Sequence, residues 1–384
     1  MPHSVDIAVI GAGITGLAIA LELVERSAGR VAVYERSGVA AGASGVAPGG
    51  VRQQWGTSVN CRMAREGLDF YREANERLAP QAPLVFRSCG YVFVAHSAHA
   101  LEQLKANAEL QRRLGIPART LDRQEVEEIV PMIDAGTVAG GTYCAEDGYF
   151  DNPRDVVAAF AVAARRRGAG IDIADVAALT REGSGWSLRL ADGRAALAAA
   201  VVIAAGADSP TLLAPLRVEL PIRKEARYLF YSDPLHERWL DPLVISPERA
   251  FAAKQMSSAR LLVSDLAAVR SPGGDLESDR KAWLARIRQV AGELLPRVSE
   301  VPLTHLVEGV YDSTPDGQAI LGPVAGQSGL WLAAGFSGRG FMVAPAVARA
   351  TASAILGDDP GDDYRALELG RFERGDLLPE PQIV

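Results

Sequence analysis

The sequence predicts an α/β protein in which a parallel-sheet domain carries a second, mostly antiparallel sheet as an insertion of α+β type. Three observations predict this fold. A short apolar run, Val5–Ile10, leads through a glycine-rich turn into Ile14–Val24, an apolar segment of helical period. A second buried strand, Val201–Ala207, is too short to be a helix before its glycine. Between these two strands, Leu84–Val94 has the composition of a strand around Gly90.

The first glycine-rich turn has the spacing of a dinucleotide-binding motif. Gly11 permits the tight turn, Gly13 lets the backbone approach a pyrophosphate, and Gly16 lets the helix pack closely on the strand. The next apolar run ends at Glu35, at about the spacing of 20 residues expected for a carboxylate that accepts a hydrogen bond from a ribose hydroxyl. Since that carboxylate would repel a 2′-phosphate, the segment predicts a Rossmann-type domain and disfavours NADP.

The loop after Glu35 indicates which dinucleotide is bound. Residues 36–55 are rich in glycine and alanine, a composition that lets backbone pass close to a flat ligand. The alternative is a flexible surface linker, although the pair Gly49 and Gly50 leads directly into Val51 and Arg52, which is unusual for a solvated segment. A second glycine-rich stretch, Leu330–Pro345, is expected to lie against the same ligand, and together the two favour a flavin.

The order of these segments predicts a discontinuous domain organisation. Residues 1–83, 146–217 and 306–384 are expected to form the cofactor-binding domain. The two insertions, 84–145 and 218–305, are expected to form the substrate-binding domain.

Composition excludes several classes of function. Among 384 residues the net charge is −7, and no basic run exceeds Arg165–Arg167, so a nucleic-acid partner is not expected. Three scattered cysteines predict neither a disulfide framework nor a metal site, and they favour a reducing, cytoplasmic location. No stretch approaches the roughly 20 apolar residues of a membrane span. The tail after Gly357, rich in Asp, Glu and Pro, is expected to be loosely packed surface.

Four motifs together resemble a known family. The N-terminal fingerprint, the loop SGVAPGGVRQQW, the strand VVIAAGADS and the closing block Gly309–Met342 are similar to FAD-dependent oxidoreductases of the D-amino-acid oxidase superfamily. Within it they most resemble the branch of sarcosine oxidase and the proline dehydrogenase β-subunit. The likeness runs over most of the chain, and the pair TPDGxxxLGP and AAGFSGxGFM is its most specific part.

The resemblance implies a reaction and a site. FAD would lie between the two domains, and an amine or α-amino acid would give a hydride from the carbon next to nitrogen to the flavin, leaving an imine that water hydrolyses. Arg52 falls where the branch has a carboxylate-binding arginine, although a surface ion pair is the alternative. The backbone N–H groups of Gly338–Met342 would face the C2 carbonyl of the flavin. Tyr228 is a candidate for lining the pocket.

The chain departs from the branch at four positions, one of which is Arg339 in place of the usual histidine. Gly309 stands where the branch attaches its flavin through a cysteine, which implies noncovalent FAD unless a histidine forms the link. Met342 stands where the branch has a carboxylate-binding lysine. Three alternatives follow: Arg52 binds the carboxylate alone, Arg339 or Lys254 takes the role of the lysine, or the substrate has no small carboxylate.

The fourth departure concerns the electron acceptor. Leu262 falls where the branch has a lysine tied to oxygen activation, so O2 and another electron acceptor stay equally open. Two alternatives to an amine oxidoreductase remain: an FAD-dependent 2-hydroxyacid or alcohol dehydrogenase, and a flavin-holding subunit of a larger complex. A homo-oligomer or a partner subunit is compatible with each of these functions.

These arguments give two groups of candidate residues. The residues expected to act in catalysis or substrate binding are Arg52, Tyr228, Lys254 and Arg339. The residues expected to bind the cofactor are Gly11, Ala12, Gly13, Ile14, Thr15, Gly16, Glu35, Arg36, Ala43, Ser44, Gly49, Gly50, Val51, Val176, Ala205, Gly206, Gly335, Gly338, Arg339, Gly340, Phe341 and Met342.

Overall fold

A computed structural model describes residues 3–270 and 274–381. In this part of the chain the strands are β1 (His3–Ile10), β2 (Val31–Glu35), β3 (Gly50–Val51), β4 (Phe86–Ser88), β5 (Tyr91–Ala95), β6 (Arg119–Leu121), β7 (Gly140–Cys144), β8 (Gly148–Phe150), β9 (Gly170–Ile173), β10 (Val176–Glu182), β11 (Gly185–Leu190), β12 (Ala195–Ile203), β13 (Arg223–Ser232), β14 (Leu243–Ser246), β15 (Phe251–Gln255), β16 (Leu261–Asp265), β17 (Leu303–Ser313), β18 (Ile320–Pro323) and β19 (Leu330–Ala334).

The helices connect these strands and cover the sheets. They are α1 (Ile14–Glu25), α2 (Ala43–Val46), α3 (Ser58–Arg72), α4 (Ala74–Leu78), α5 (Ala98–Arg113), α6 (Arg123–Ile129), α7 (Pro153–Arg166), α8 (Ser209–Leu213), α9 (Leu276–Leu294), α10 (Pro296–Ser299), α11 (Gly340–Leu356), α12 (Asp362–Arg365) and α13 (Arg371–Arg374). Short 3-10 helices lie at Ala135–Thr137, Gly206–Asp208 and Ala214–Leu216. None of the helices in the described ranges is both long and apolar enough to cross a membrane.

The first sheet has a parallel centre. Strand β1 pairs in parallel with β2 on one side and β12 on the other, and β9 and β19 extend the parallel arrangement outward. The register places Val9 beside Val33 and Val202. Strands β10 and β11 add an antiparallel meander to β12, and β18 pairs antiparallel with β19. All three sequence segments assigned to the cofactor domain therefore contribute strands to this one sheet.

Two layers bury the faces of the first sheet. Helices α1, α3, α7 and α11 pack together on one face, where α1 buries Leu17 and Leu21. On the other face, Trp186 and Leu188 of the meander pack in one core with Val5 and Ile10 of β1. Because both faces are covered, the central strands are apolar throughout, which is typical of a parallel sheet.

The second sheet is mostly antiparallel, as the sequence predicts. Its strand order is β17-β13-β16-β15-β14-β5-β7-β6, and only β14 and β5 pair in parallel. Helix α9 packs on it and buries Trp283 beside Phe230 in a separate core. The α/β fold with an inserted sheet is thus confirmed. Strand β17 runs through the expected domain boundary at residue 305, and the boundaries themselves stay a prediction.

The tail after Gly357 is packed more tightly than its composition predicts. Tyr364 and Leu367 are buried against the first domain. Arg371 is fully buried and donates two hydrogen bonds, of 2.8 and 3.0 Å, to the carboxylate of Asp316. The expectation of a loose surface tail was therefore wrong for this segment, because two apolar anchors and a buried ion pair hold it in place.

Candidate active site

A cleft lies where the carboxyl ends of β1, β2 and β12 meet strands β13 and β17 of the second sheet. It consists of two adjoining cavities, a larger one of about 710 Å³ and a smaller one of about 140 Å³. Gly13, Ser44, Gly206 and Gly309 line both cavities. Ligands of open α/β sheets bind at this end of the strands.

The N-terminal glycines are required by their surroundings. Gly11 has a φ of +112°, and an added Cβ would lie 2.3 Å from the carbonyl oxygen of Ala204. An added Cβ on Gly16 would lie 2.0 Å from the carbonyl oxygen of Gly11. Among the described residues, an added Cβ on Gly13 would contact Ser44 Oγ alone, at 3.1 Å, and Gly13 lines both cavities. Gly11 and Gly16 thus have the turn and packing environments that the sequence predicts, and the approach of a pyrophosphate at Gly13 stays a prediction.

Helix α1 begins at the cleft and suits an anion. Its N-cap is Gly13, which has no side chain to cap the helix, and no acidic residue occupies the first turn of this described helix. The Ile14 N–H donates a hydrogen bond of 3.1 Å to Ser44 Oγ. Such a helix start presents N–H donors and the positive end of the helix dipole to a phosphate.

Glu35 lies at the end of β2 and faces the larger cavity. Its carboxylate accepts hydrogen bonds from the backbone N–H groups of Ala12 and Ser37, each at 2.9 Å. These contacts orient the carboxylate at the cleft. Beside it, Arg36 and Lys224 both pair with Asp208, Arg36 at 2.5 Å, and all three line the larger cavity. The rim of the larger cavity is therefore polar and contains both charges.

The smaller cavity lies between the two sheets. Ala47, Pro48, Phe336, Gly338, Gly340 and Phe341 form its cofactor-domain side, and Arg227, Leu229, Tyr311 and Asp312 form much of its opposite side. Gly338 has a φ of +89°, and a Cβ there would lie 2.3 Å from the Tyr311 ring. Helix α11 begins here at Gly340 without a side-chain cap among the described residues, so its first N–H groups are available to a ligand.

Two buried guanidinium groups lie on Trp55, behind this cavity. The guanidinium carbons of Arg52 and Arg339 are 3.5 and 4.9 Å from the centre of the Trp55 ring. Arg52 is 2 % exposed and donates to the Gln54 carbonyl, whereas Arg339 is 1 % exposed and donates to Gly317 and Gln318. Burial lowers the pKa of each arginine to about 10. Neither side chain lines either cavity.

Lys254 is also buried close to the cleft. Its ammonium donates a hydrogen bond of 2.6 Å to the carbonyl of Pro48 and lies 3.7 Å from the centre of the Tyr149 ring. Burial lowers the pKa of Lys254 to about 7. The side chain supports the cavity wall through Pro48 without lining the cavity itself.

Tyr228 does not line the pocket, which corrects the interpretation of β13. Its ring stacks on Trp283 at 4.1 Å in the core of the second domain. The opposite face of the strand, with Arg227 and Leu229, borders the smaller cavity. Sequence reasoning missed these two residues and also Tyr311, which lies inside the closing block that carried the resemblance.

The structure brings together most of the predicted cofactor-binding residues. Those that line one or both cavities are Gly11, Gly13, Ile14, Thr15, Glu35, Arg36, Ala43, Ser44, Val176, Ala205, Gly206, Gly338, Gly340 and Phe341. Those that line neither are Ala12, Gly16, Gly49, Gly50, Val51, Gly335, Arg339 and Met342. Gly49 and Gly50 pack against β8 and Tyr91, and Met342 is buried in the helical core.

The cleft has the features that an elongated dinucleotide needs. Two helix starts whose own N-cap residues make no side-chain cap face it, Gly13 borders the cavity, and the carboxylate of Glu35 lies at one end. The fold and site therefore define a dinucleotide-dependent enzyme of the two-domain α/β class.

Comparison with known proteins identifies the family. Residues 6–354 match the family model described as DAO: FAD dependent oxidoreductase. The chain belongs to this family, and the predictions of the family and of FAD as the cofactor are confirmed.

Three similar proteins cover nearly the whole chain. Glycine oxidase of Geobacillus kaustophilus is 28% identical over 382 residues, which are 97% of this chain and 98% of the relative. The 4-methylaminobutanoate oxidase (formaldehyde-forming) of Paenarthrobacter nicotinovorans is 25% identical to this chain over 390 residues. The match covers 97% of this chain and 46% of the relative, which is the longer protein. The crystal structure of L-proline dehydrogenase from P. horikoshii is 26% identical, with a TM-score of 0.88 over 98% of this chain and 100% of that one.

Proposed function

We propose that this protein oxidises the C–N bond of an amino acid or of an N-substituted amine. The observation that carries the proposal is the smaller cavity, which joins the start of α11 to a wall that holds Arg227 and Tyr311. The names of the three similar proteins refer to glycine, L-proline and 4-methylaminobutanoate, each of which is an amine that bears a carboxylate. A cavity with one arginine and apolar walls suits such a molecule.

FAD, when bound, supplies the acceptor for a hydride from the carbon next to the amine nitrogen. The protein supplies position and charge. We propose that the start of α1 and the approach at Gly13 hold the pyrophosphate and that Glu35 accepts a hydrogen bond from the ribose. The first N–H groups of α11 are suited to stabilise negative charge at the smaller cavity.

Arg52 and Arg339, and Lys254 at pH values below its pKa of about 7, contribute a positive potential from behind the cavity wall. All three are almost fully buried, and each donates a hydrogen bond to a protein carbonyl oxygen. In a buried site such charges act over several ångströms. We therefore propose that these residues favour negative charge in the cleft and set the position of the wall, while groups that line the cavity contact the substrate.

We also propose that FAD is held without a covalent link. Gly309 lines both cavities at the position where the resembled branch has its attaching cysteine. The three free cysteines lie elsewhere, and Cys61 and Cys144 are buried.

A substrate panel tests the proposed reaction. Sarcosine, glycine, L-proline, D-amino acids and 2-hydroxyacids are each supplied to the full-length holoenzyme, with O2 and with an artificial dye in parallel. The proposal expects turnover of an amine, with ammonia, a released amine or a cyclic imine as product. Turnover of hydroxyacids alone would contradict it and favour the alcohol-dehydrogenase alternative. The dye-to-O2 rate ratio then assigns the acceptor.

A further inference from the structure

We infer that Arg227 binds the carboxylate of the substrate and so restricts the enzyme to anionic amines. This inference rests on the proposed C–N oxidation and replaces Arg52 as the carboxylate-binding residue that the sequence suggests. It is carried by the position, the contacts and the surroundings of the Arg227 side chain.

The position follows from strand alternation. Tyr228 and Phe230 lie on the face of β13 that packs in the core, so Arg227 and Leu229 lie on the opposite face, at the smaller cavity. Arg227 pairs in register with Gly309 of β17. Gly309 and Val46 line the cavity beside Arg227, and no side chain of residue 309 stands between the guanidinium and the cavity. Within the described chain, Arg227 is the one arginine or lysine that lines the smaller cavity.

The contacts of Arg227 leave donors available. Its Nη2 donates a hydrogen bond of 2.8 Å to Glu225 Oε2, and its guanidinium carbon lies 5.2 Å from the centre of the Tyr311 ring. A guanidinium has five N–H donors, and no second hydrogen bond joins this group to the described residues. The side chain is 28 % exposed, so it is accessible to a small molecule. A planar fork of this kind matches a carboxylate through two parallel hydrogen bonds.

The other nearby cations are already engaged. Arg52 is stacked on Trp55 and hydrogen bonded to the Gln54 carbonyl, and Lys254 is hydrogen bonded to the Pro48 carbonyl. Neither lines the cavity. A substrate carboxylate would reach them only after the wall had opened.

Asp312, the one acidic residue that lines the smaller cavity in the described part of the chain, is also constrained. Asp312 accepts a hydrogen bond of 2.8 Å from the Gly335 N–H. Its carboxylate is therefore directed towards the backbone before α11. Glu225 competes with a bound carboxylate for Arg227. A Glu225→Gln variant should therefore change the affinity for a carboxylate in the opposite direction to a variant of Arg227.

The test measures anion binding without turnover. Propionate is titrated into the full-length FAD-loaded protein, and the change in the visible flavin spectrum gives its Kd for the wild type, Arg227→Gln, Arg227→Lys, Glu225→Gln and Arg223→Gln. Arg223 lies on the same strand, is exposed and lines neither cavity, so it is the matched control. A thermal unfolding scan of each variant identifies any that fail to fold.

The expected pattern is specific to a direct contact. Arg227→Gln should weaken propionate binding on the order of 10- to 100-fold, the range for a lost charge-assisted hydrogen-bonded pair. Arg227→Lys should retain part of the affinity, Glu225→Gln should tighten binding a few-fold, and Arg223→Gln should leave the Kd unchanged. With substrates, Arg227→Gln should raise KM for sarcosine or L-proline more than it lowers kcat, and should leave the corresponding amides unaffected.

Two results would overturn the inference: equal propionate affinity in the wild type and Arg227→Gln, or no spectral response of the wild type to propionate. Failure of the proposed function is a separate outcome. In that case propionate would still bind through Arg227, while no amine in the panel would reduce the flavin.

Discussion

The ammonium group of Lys254 donates a hydrogen bond of 2.6 Å to the carbonyl oxygen of Pro48. Lys254 belongs to β15 of the second sheet, and Pro48 lines the smaller cavity in the segment that leads to β3. This contact therefore joins the inserted sheet to the loop beside the cofactor cleft. The same ammonium lies over the Tyr149 ring. Lys254 is 1 % exposed, and this burial lowers the pKa of its side chain to about 7.

The lowered pKa of Lys254 predicts a pH-dependent stability difference. Between about pH 7 and the ordinary lysine value of 10.5, the unfolded chain holds a proton on this side chain that the folded chain has released. The free energy of unfolding therefore rises with pH in this window relative to a Lys254→Met variant, with a slope approaching about 1.4 kcal/mol per pH unit. Urea unfolding of both proteins from pH 7 to 10 measures the difference.

A matched variant isolates the effect of burial. Lys281 is an exposed lysine on α9. The free energy of unfolding of Lys281→Met should therefore change with pH in parallel with that of the wild type. If the wild type and Lys254→Met also ran parallel, the ammonium of Lys254 would have an ordinary pKa, and its burial behind Pro48 would be contradicted.

Two glycines of the first turn should separate folding from cofactor binding. Gly11→Ala places a Cβ 2.3 Å from the Ala204 carbonyl oxygen at a φ of +112°, and should lower the free energy of unfolding by about 2 to 4 kcal/mol. Gly13 has a φ of −74°, so Gly13→Ala should alter stability by no more than about 1 kcal/mol. It should nevertheless weaken FAD binding by about 10-fold or more, because the added methyl group faces the larger cavity.

Measurements on the apoprotein and on reconstituted protein check this pair. Chemical unfolding of the apoprotein gives the stability, and the quenching of flavin fluorescence during titration gives the Kd for FAD. Unchanged FAD affinity in Gly13→Ala would show that no pyrophosphate lies against this turn.

The sequence predicts the cofactor half of the cleft better than the substrate half. The roles of Gly11, Gly13 and Gly16 depend on local spacing, and a strand, a turn and a helix fix that spacing within 20 residues. The wall of the smaller cavity depends on which face of β13 points inward. In an alternating strand such as Arg227–Phe230, either face could border the cavity. The packing of Trp283 of α9 against Tyr228 decides which face is buried in the core.

The buried charges could not be predicted for a related reason. Arg52 and Arg339 are 287 positions apart in the chain and meet on one tryptophan ring. Their common neighbour Glu380 comes from a tail whose composition resembles disordered surface. Long-range pairing of this kind has no signal in a single sequence.

Glu380 should stabilise the fold from the far end of the chain. Its carboxylate accepts hydrogen bonds from the Gly56 N–H at 2.7 Å, Thr57 Oγ1 at 2.8 Å and Asn60 Nδ2 at 2.7 Å, and so joins the tail to the start of α3. It also attracts the buried guanidinium groups of Arg52 and Arg339. Glu380→Gln should lower the free energy of unfolding by about 1 to 3 kcal/mol.

An exposed residue of the same tail is the control for this prediction. Glu373→Gln should unfold at the urea concentration of the wild type, because Glu373 is solvent exposed. If the two variants had the same stability, the buried position of Glu380 at the start of α3 would be contradicted.

The absence of a cysteine at residue 309 predicts that denaturation releases the cofactor. After precipitation with acid, the yellow colour should appear in the supernatant, and the released molecule should have the mass of FAD. A flavin retained in the protein pellet would contradict noncovalent binding, and peptide mapping would then locate the attachment.

The central claim is that the two glycine-rich ends of the chain hold one FAD beside a cavity that accepts an amine. Anaerobic mixing of the purified full-length protein with sarcosine, glycine or L-proline, followed by its visible spectrum, tests this claim most directly. We expect at least one of these amines to bleach the flavin absorbance, with one amine oxidised per FAD. A purified protein that carries no flavin, or a bound flavin that stays oxidised with every amine, would contradict it.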